Sequence, residues 1–327
     1  MKRVIAAFAG GLLLAGLAGA EAGAETLRIT LQLPLKSHLG QNLLLFKDEV
    51  ETNSDMTVEI YDSAQLFKDK EVPEAVASGQ IEMGVASLTR FVGEIPAVDV
   101  FYMPFVLNGE DKVRAATAPE SPVRMPLDAA MLETGARPLW WQAYGGVILL
   151  SNGEPVKLPR DVHGKKVRVF GKTLGTWIQV LGGAPTLISG SEQFLAYQRG
   201  TVDIGMTGVS GVKSRSLWDV MDVITVTNNA DIEFIVLVNE DFWQGLSAEQ
   251  RQVIAAAARK AETNVRERMT AIEAEAFAAA KAHGMTVYEL SDEELVAWKE
   301  ASQPVIEAWL ATAGSLGRQV LEAAEKL

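Results

Sequence analysis

The sequence predicts a two-domain α/β protein in which the chain crosses between the domains more than once and one long helix braces both. Three observations carry that expectation. Short apolar runs rich in β-branched residues alternate with helical patterns between Leu27 and Met206, the mark of layered α/β units. A continuous apolar run at 138–150 is longer than the usual strand of about 5–6 residues, and its length suggests that it passes from one domain into the other. A helical pattern from Ser247 through Ala282 exceeds the roughly 8–20 residues of ordinary globular helices, so it can span two domains.

The chain has 327 residues and opens with Lys2 and Arg3, an apolar run at 4–17, and small residues ending Ala22-Gly23-Ala24. That order reads as a secretion signal cleaved after Ala24. The run is too short to cross a bilayer, which takes about 20 apolar residues, and no later stretch approaches that length. A soluble, periplasmic mature protein is expected.

In the first domain, 27–33 has strand character and stops at Pro34, and Ser37 can cap a helix reaching about Val50. Residues 57–61 alternate as a second strand, a short helix follows at 73–77, Gly79 ends it, and 81–87 is a third strand. The stretch 96–107 reads as buried wall and connector, and helices at 111–116 and 126–134 precede the crossing strand. Strands alternating with helices at this spacing imply a largely parallel, layered first domain, and the second domain is a further α/β set with strands at 166–170, 186–188 and 202–206 and helices at 174–181 and 191–198. The run 232–238 is assigned back to the first domain. After the long helix, a strand at 285–290 and a helix opened by Ser291, with Glu294 three residues on, complete the fold. The resulting division is 25–145 plus 232–273 for the first domain and 146–231 plus 274–327 for the second, with the C-terminal helices packing across both.

Composition narrows the function. The net charge of −12 argues against a nucleic-acid partner, which requires clustered Lys and Arg. The absence of cysteine removes disulfides, thiolate metal sites, cysteine nucleophiles and a lipoprotein anchor. His38, His163 and His283 are far apart, so a zinc site is not expected. Gly208-Val209-Ser210-Gly211 lacks the second glycine of a nucleophile elbow, and neither a P-loop nor a dinucleotide-binding turn is present. An enzyme is therefore not expected, and no cofactor.

What remains is arginine and aromatic side chains near strand ends, where α/β clefts are lined: Arg90, Trp141, Tyr144, Arg168 and Phe170. Each aromatic could equally pack the core. Arg168, between Val167 and Val169, stands on a strand whose side chains alternate faces, so it meets solvent or a cleft. Its planar fork matches a carboxylate.

The run Pro159-Arg160-Asp161-Val162-His163-Gly164-Lys165-Lys166-Val167-Arg168 resembles a segment of the TRAP-type solute-binding proteins, the DctP family. So, in order, do Gly79-Gln80-Ile81-Glu82-Met83, Met103-Pro104-Phe105, Leu181-Gly182-Gly183-Ala184-Pro185, Ser191-Glu192-Gln193-Phe194-Leu195-Ala196 and Gln198-Arg199-Gly200-Thr201-Val202-Asp203. The resemblance implies a periplasmic-binding-protein-like fold that closes over a small organic acid. It also implies delivery to a membrane permease of a small and a large subunit, driven by an ion gradient, and it places the carboxylate-binding arginine at Arg168. An ABC-type binding protein or a ligand-sensing subunit for a membrane receptor would share the same architecture.

The sequence also departs from the family. Thr207 stands where a ligand-binding asparagine is common, Gly190 where an aromatic can line the pocket, and Gly145-Gly146-Val147-Ile148 where some members carry a second arginine. These smaller groups are expected to enlarge the pocket for a bulkier acid. The candidate lining is Arg168 and Thr207 with Arg90, Phe170, Tyr144, Trp141, His38 and Asn228.

Overall fold

A computed structural model describes residues 25–107 and 109–327; the expected secretion signal lies outside the described residues. The strands are β1 (Thr26–Leu31), β2 (Thr57–Tyr61), β3 (Met83–Ser87), β4 (Ala136–Ser151), β5 (Lys166–Val169), β6 (Ala184–Leu187), β7 (Gly205–Gly208), β8 (Val223–Val226), β9 (Asp231–Asn239) and β10 (Thr286–Glu289). The main sheet has the order β10-β8-β4-β9-β3-β1-β2, with β7 also paired to β4, while β5 and β6 form a separate two-stranded sheet.

The crossing strand is β4. Its first part, Ala136 to Gly146, runs antiparallel to β9, and its second part, Val147 to Ser151, takes β7 and β8 as partners. The register slips between Ala143 and Gly145, and a bulge there bends the strand. Gly145 has φ 103°, a backbone conformation that favours glycine, and a side chain there would run into Glu273 and Met269 of the long helix.

The first-domain strands β1, β2 and β3 pair in parallel as expected, and the sheet as a whole is mixed. The pairs β1/β2, β1/β3, β5/β6 and β8/β10 are parallel, but β3/β9, β9/β4, β4/β7 and β4/β8 are antiparallel, because the crossing strands run back through the sheet. The strand expected at 202–206 begins only at Gly205; ahead of it, Asp203 accepts a hydrogen bond from the Lys166 backbone at 2.7 Å and Ile204 bridges to Val167. The sequence reading had no place for β8, nor for the helices Val209–Arg215, Glu240–Gly245 and Gly314–Glu325.

The long helix, Ala248–Ala282, is closed at its start by a reciprocal cap. The Ser247 hydroxyl accepts from the Gln250 N–H at 3.1 Å, and the Gln250 side chain accepts from the Ser247 N–H at 2.9 Å, satisfying two donors the helix cannot. Its first half buries Ile254, Ala258, Ala261 and Val265 in one hydrophobic core, and its second half buries Ala276 and Ala280 in the other. The small alanine side chains let it lie close to the helix His38–Asn53, to β4 and to the helix Val209–Arg215. Ser37 caps the helix His38–Asn53, accepting from the Gly40 N–H at 3.1 Å.

Candidate functional site

Strand ends converge on a small cavity of about 20 Å³. Gln32 follows β1, Ser87 ends β3, and Arg90 sits in the one-turn helix Leu88–Phe91. Arg168 comes from β5, Phe170 from just beyond it, and Thr207 from β7. Tyr144, Ile232 and Phe234 come from β4 and β9, Gly190 follows β6, and Arg215 ends the helix Val209–Arg215. The sequence candidates Arg168, Thr207, Arg90, Phe170 and Tyr144 thus share one wall.

Arg168 is only 3% exposed. Its Nε donates to the Ile188 carbonyl at 3.0 Å, its Nη1 donates to the Met206 carbonyl, and its guanidinium carbon lies 5.1 Å from the centre of the Phe170 ring. Two carbonyl dipoles and an aromatic face orient the group but carry no full negative charge. No carboxylate pairs with it among the described residues. Burial pulls its pKa down to about 10, and the nearby Arg215 and Arg90 add to the fall while Tyr197 opposes it. The group therefore remains a cation at neutral pH. A buried cation without a counter-ion costs several kcal/mol of solvation, and an anion entering the cavity offsets that cost.

Arg90 is held differently. Its Nε forms an ion pair with the fully buried Asp69, whose carboxylate also accepts the Ser87 N–H at 2.9 Å and the Ser87 hydroxyl at 2.6 Å. That network fixes one edge of the guanidinium and leaves Nη1 and Nη2 without a protein partner among the described residues.

Arg215 is the residue the sequence reading missed. Its Nη2 donates to the Tyr144 hydroxyl and to Thr207 Oγ1, each at 3.0 Å, its Nη1 donates to the Gly190 carbonyl at 3.3 Å, and its Nε to the Gly211 carbonyl at 3.4 Å. All four acceptors are neutral. This corrects the expectation of an enlarged pocket, because the room left by Gly190 and Thr207 is occupied by an arginine that arrives from a helix instead of from the crossing strand. A signal was present in the sequence: Gly211 precedes Arg215 by four residues, one helical turn, so the glycine clears the face along which the arginine lies. Without a helix assigned at 209–215, the sequence reading gave Arg215 no role.

The remaining candidates lie elsewhere. Trp141 is fully buried and points to the face of β4 opposite Tyr144, where its Nε1 donates to Asp128 at 2.7 Å and its ring packs 5.2 Å from Phe101; side chains alternate along a strand, which is why the two diverge. His38 donates from Nε2 to the Ala143 carbonyl at 3.0 Å and stands behind the cavity wall, its ring 5.3 Å from Tyr144. Burial lowers its pKa, leaving the imidazole neutral. Asn228, with φ 42°, turns the chain into β9 and lines a different cavity of about 120 Å³ with Asp231 and Glu273.

His38 instead lines a larger groove of about 480 Å³ with Lys36, Lys213 and Arg268. Size alone would favour that groove. Its three basic side chains are exposed and keep their hydration, and Lys213 is already paired with Glu275 at 3.1 Å. The smaller cavity gathers three guanidinium groups against one carboxylate, with Arg168 buried and unpaired among the described residues, and is the stronger candidate on electrostatic grounds. Among the described residues no cluster of His, Asp or Glu is arranged to hold a metal ion, and no helix is long and apolar enough to cross a membrane.

The sequence model of the family described as "Bacterial extracellular solute-binding protein, family 7" (DctP) matches residues 31–312. The "C4-dicarboxylate-binding periplasmic protein DctP" of Rhodobacter capsulatus is 29% identical over 308 residues, covering 88% of this chain and 91% of that protein. The "Ectoine-binding periplasmic protein TeaA" of Halomonas elongata is 26% identical over 282 residues, covering 85% and 82%. In fold, the chain matches the crystal structure of the Bordetella pertussis extracytoplasmic solute receptor DctP7 with a TM-score of 0.87 at 21% identity, covering 92% of this chain and 99% of that one.

Proposed function

We propose, from the premise that this chain belongs to the bacterial extracellular solute-binding proteins of family 7, that it captures a small organic acid in the periplasm by pairing the acid's carboxylate with Arg168. The observation that carries the reading is the buried, charged guanidinium of Arg168, held by carbonyl oxygens and without a counter-ion among the described residues. Arg90, Tyr144, Phe170 and Thr207 complete the enclosure. The loaded protein delivers its acid to a TRAP permease of a small and a large membrane subunit, and the segment ending at Ala24 directs export.

The two lobes are taken as 25–145 plus 232–273 and 146–231 plus 274–327. Contacts between them support a closing motion: Lys68 pairs with Glu192 at 2.9 Å, and Thr173 donates to Asp99 at 2.5 Å. The helix Asp292–Leu310 packs on the second lobe, while Trp309 donates to the Pro96 carbonyl of the first at 2.9 Å. A solute that touches both lobes only when they meet shifts the population towards closure.

A thermal-shift screen over mono- and dicarboxylates, hydroxy and keto acids, sulfonates and aromatic acids tests the function. An acid present at about 100 times its dissociation constant adds about 2.7 kcal/mol of stability. Calorimetry on the best acid with Arg168→Lys then tests the residue. Loss of the planar fork is expected to weaken binding by about 10-fold or more, since each charge-assisted hydrogen bond contributes roughly 1.5–3 kcal/mol. An unchanged affinity refutes the role.

A further inference from the structure

Arg168 explains one acidic group, but the cavity carries more positive charge than one group neutralises. Its lining holds the guanidinium groups of Arg90, Arg168 and Arg215 and a single carboxylate, Asp69, already paired with Arg90. Three positive charges against one negative leave a formal charge of about +2 around one partly buried cavity.

Arg215 is the least accounted for of these. Every acceptor around it is neutral, and two glycines exist where any side chain would displace it. A Cβ at Gly190 would lie 2.9 Å from Arg215 Nη1 and 3.0 Å from Gln32 Oε1. A Cβ at Gly211 would collide with Arg215 Nη2 and come within 2.5 Å of the Tyr144 hydroxyl and 2.9 Å of Thr207 Oγ1. Neither glycine has a positive φ. Their backbone conformation does not require glycine, so the space they leave is the explanation.

The fork is also aimed. Tyr144 and Thr207 both receive Nη2, while Nη1 reaches across to the Gly190 carbonyl, so Arg215 spans β4, β7 and the turn after β6 from its base on the helix Val209–Arg215. Opposite it, Arg168 approaches from β5 with Nε and Nη1 engaged by backbone carbonyls. The two guanidinium groups thus enter one cavity from separate elements, each already oriented by neutral partners.

We infer that Arg215 holds a second acidic group of the solute, making it the residue by which this site selects dianionic over monoanionic acids. The inference rests on the reading of Arg168 as the first carboxylate anchor. A diacid fills both anchors and neutralises the cavity. A monoacid of the same size leaves the half-buried Arg215 with neutral partners alone.

The test measures affinity by calorimetry for malonate, succinate, glutarate, adipate and phthalate, each beside its half-amide, which keeps the shape and removes one charge. In the wild-type protein at least one diacid is expected to bind about 10- to 150-fold more tightly than its half-amide, the value of one charge-assisted contact. In Arg215→Gln that ratio collapses towards one while the half-amide keeps its affinity. Arg215→Lys restores part of the ratio. Gly211→Ala, which pushes the guanidinium aside, reproduces the loss without removing the charge from the chain. A wild-type protein that favours no diacid over its half-amide overturns the inference. So does an Arg215→Gln protein that keeps the ratio, or one that weakens diacid and half-amide equally, which would mark Arg215 as purely structural. Failure of the underlying reading looks different: Arg168→Gln would then leave binding of both diacid and half-amide intact.

Discussion

Asp99→Asn isolates a buried carboxyl that joins the two proposed lobes and forms no ion pair among the described residues. Asp99 lies in the one-sided turn of the helix Pro96–Tyr102, is fully buried, and accepts from Thr173 Oγ1 at 2.5 Å and Thr89 Oγ1 at 3.3 Å. Thr173 belongs to the first turn of the helix Lys172–Val180, whose N-terminal glycine, Gly171, supplies no side-chain cap, so a carboxyl from across the interface serves instead. Burial pushes the Asp99 pKa up to about 6, against the pull of the threonine hydrogen bonds and of Lys172.

The sign follows from the raised pKa of an acid. The folded protein binds this proton more tightly than the unfolded chain, whose aspartate pKa is about 3.9, so stability from this group is greatest below about pH 4 and is lost as pH rises through about 6. Between about pH 7.5 and pH 5, Asp99 gains roughly 0.9 of a proton in the folded state and under 0.1 in the unfolded state, which stabilises the wild-type protein by about 1.4 kcal/mol. Asparagine keeps the shape and an acceptor oxygen but cannot titrate. Urea unfolding of both proteins at the two pH values reads the difference directly. Asp128, Glu262 and Glu273, whose pKa values burial also raises, contribute equally to both proteins and cancel. Wild type is expected to gain about 1.4 kcal/mol more than Asp99→Asn on acidification; parallel stabilities at the two pH values would refute the assignment.

Two further substitutions separate scaffold from site. Trp141→Phe removes the 2.7 Å bond to Asp128 in a buried setting and is expected to cost about 1–3 kcal/mol in urea unfolding while leaving solute affinity unchanged. Glu233→Gln breaks a buried pair in which Glu233 accepts from Arg266 Nη1 at 2.6 Å and Nη2 at 3.0 Å; leaving that guanidinium unpaired is expected to cost about 3–5 kcal/mol by the same assay.

The parts of the fold that local chemistry dictates were legible in the sequence. Ser37, Ser247 and Ser291 each cap the helix expected from them, because capping is decided within a few residues. The apolar run at 138–150 became the central strand β4, recognisable from its length. The parallel direction of β1, β2 and β3 was legible from the helices between them, but the antiparallel return of β9 was not, since it comes from a point far along the chain and no local pattern encodes that pairing. The four-residue strand β8 was too short to stand out from its loops, although Val223, Ile224, Thr225 and Val226 are all buried.

The site divides the same way. Arg168, a charge between two valines in a strand, stood out in the sequence and lies in the cavity lining. Trp141, His38 and Asn228 were drawn in by residue type, but strand alternation sends Trp141 away from Tyr144, a carbonyl claims His38, and a turn carries Asn228 to the far side of the crossing strands. Arg215 was hidden because its role depends on Gly190, Gly211, Tyr144 and Thr207, which only the folded chain brings together.

The most direct measurement is a crystal structure with the acid that gives the largest thermal shift. The account predicts a carboxylate oxygen at about 2.7–2.9 Å from the Arg168 guanidinium, as charge-assisted pairs require, with Phe170 beneath it. An acid seated instead in the groove lined by Lys36 and Arg268, with Arg168 still touching only the carbonyls of Ile188 and Met206, would contradict it.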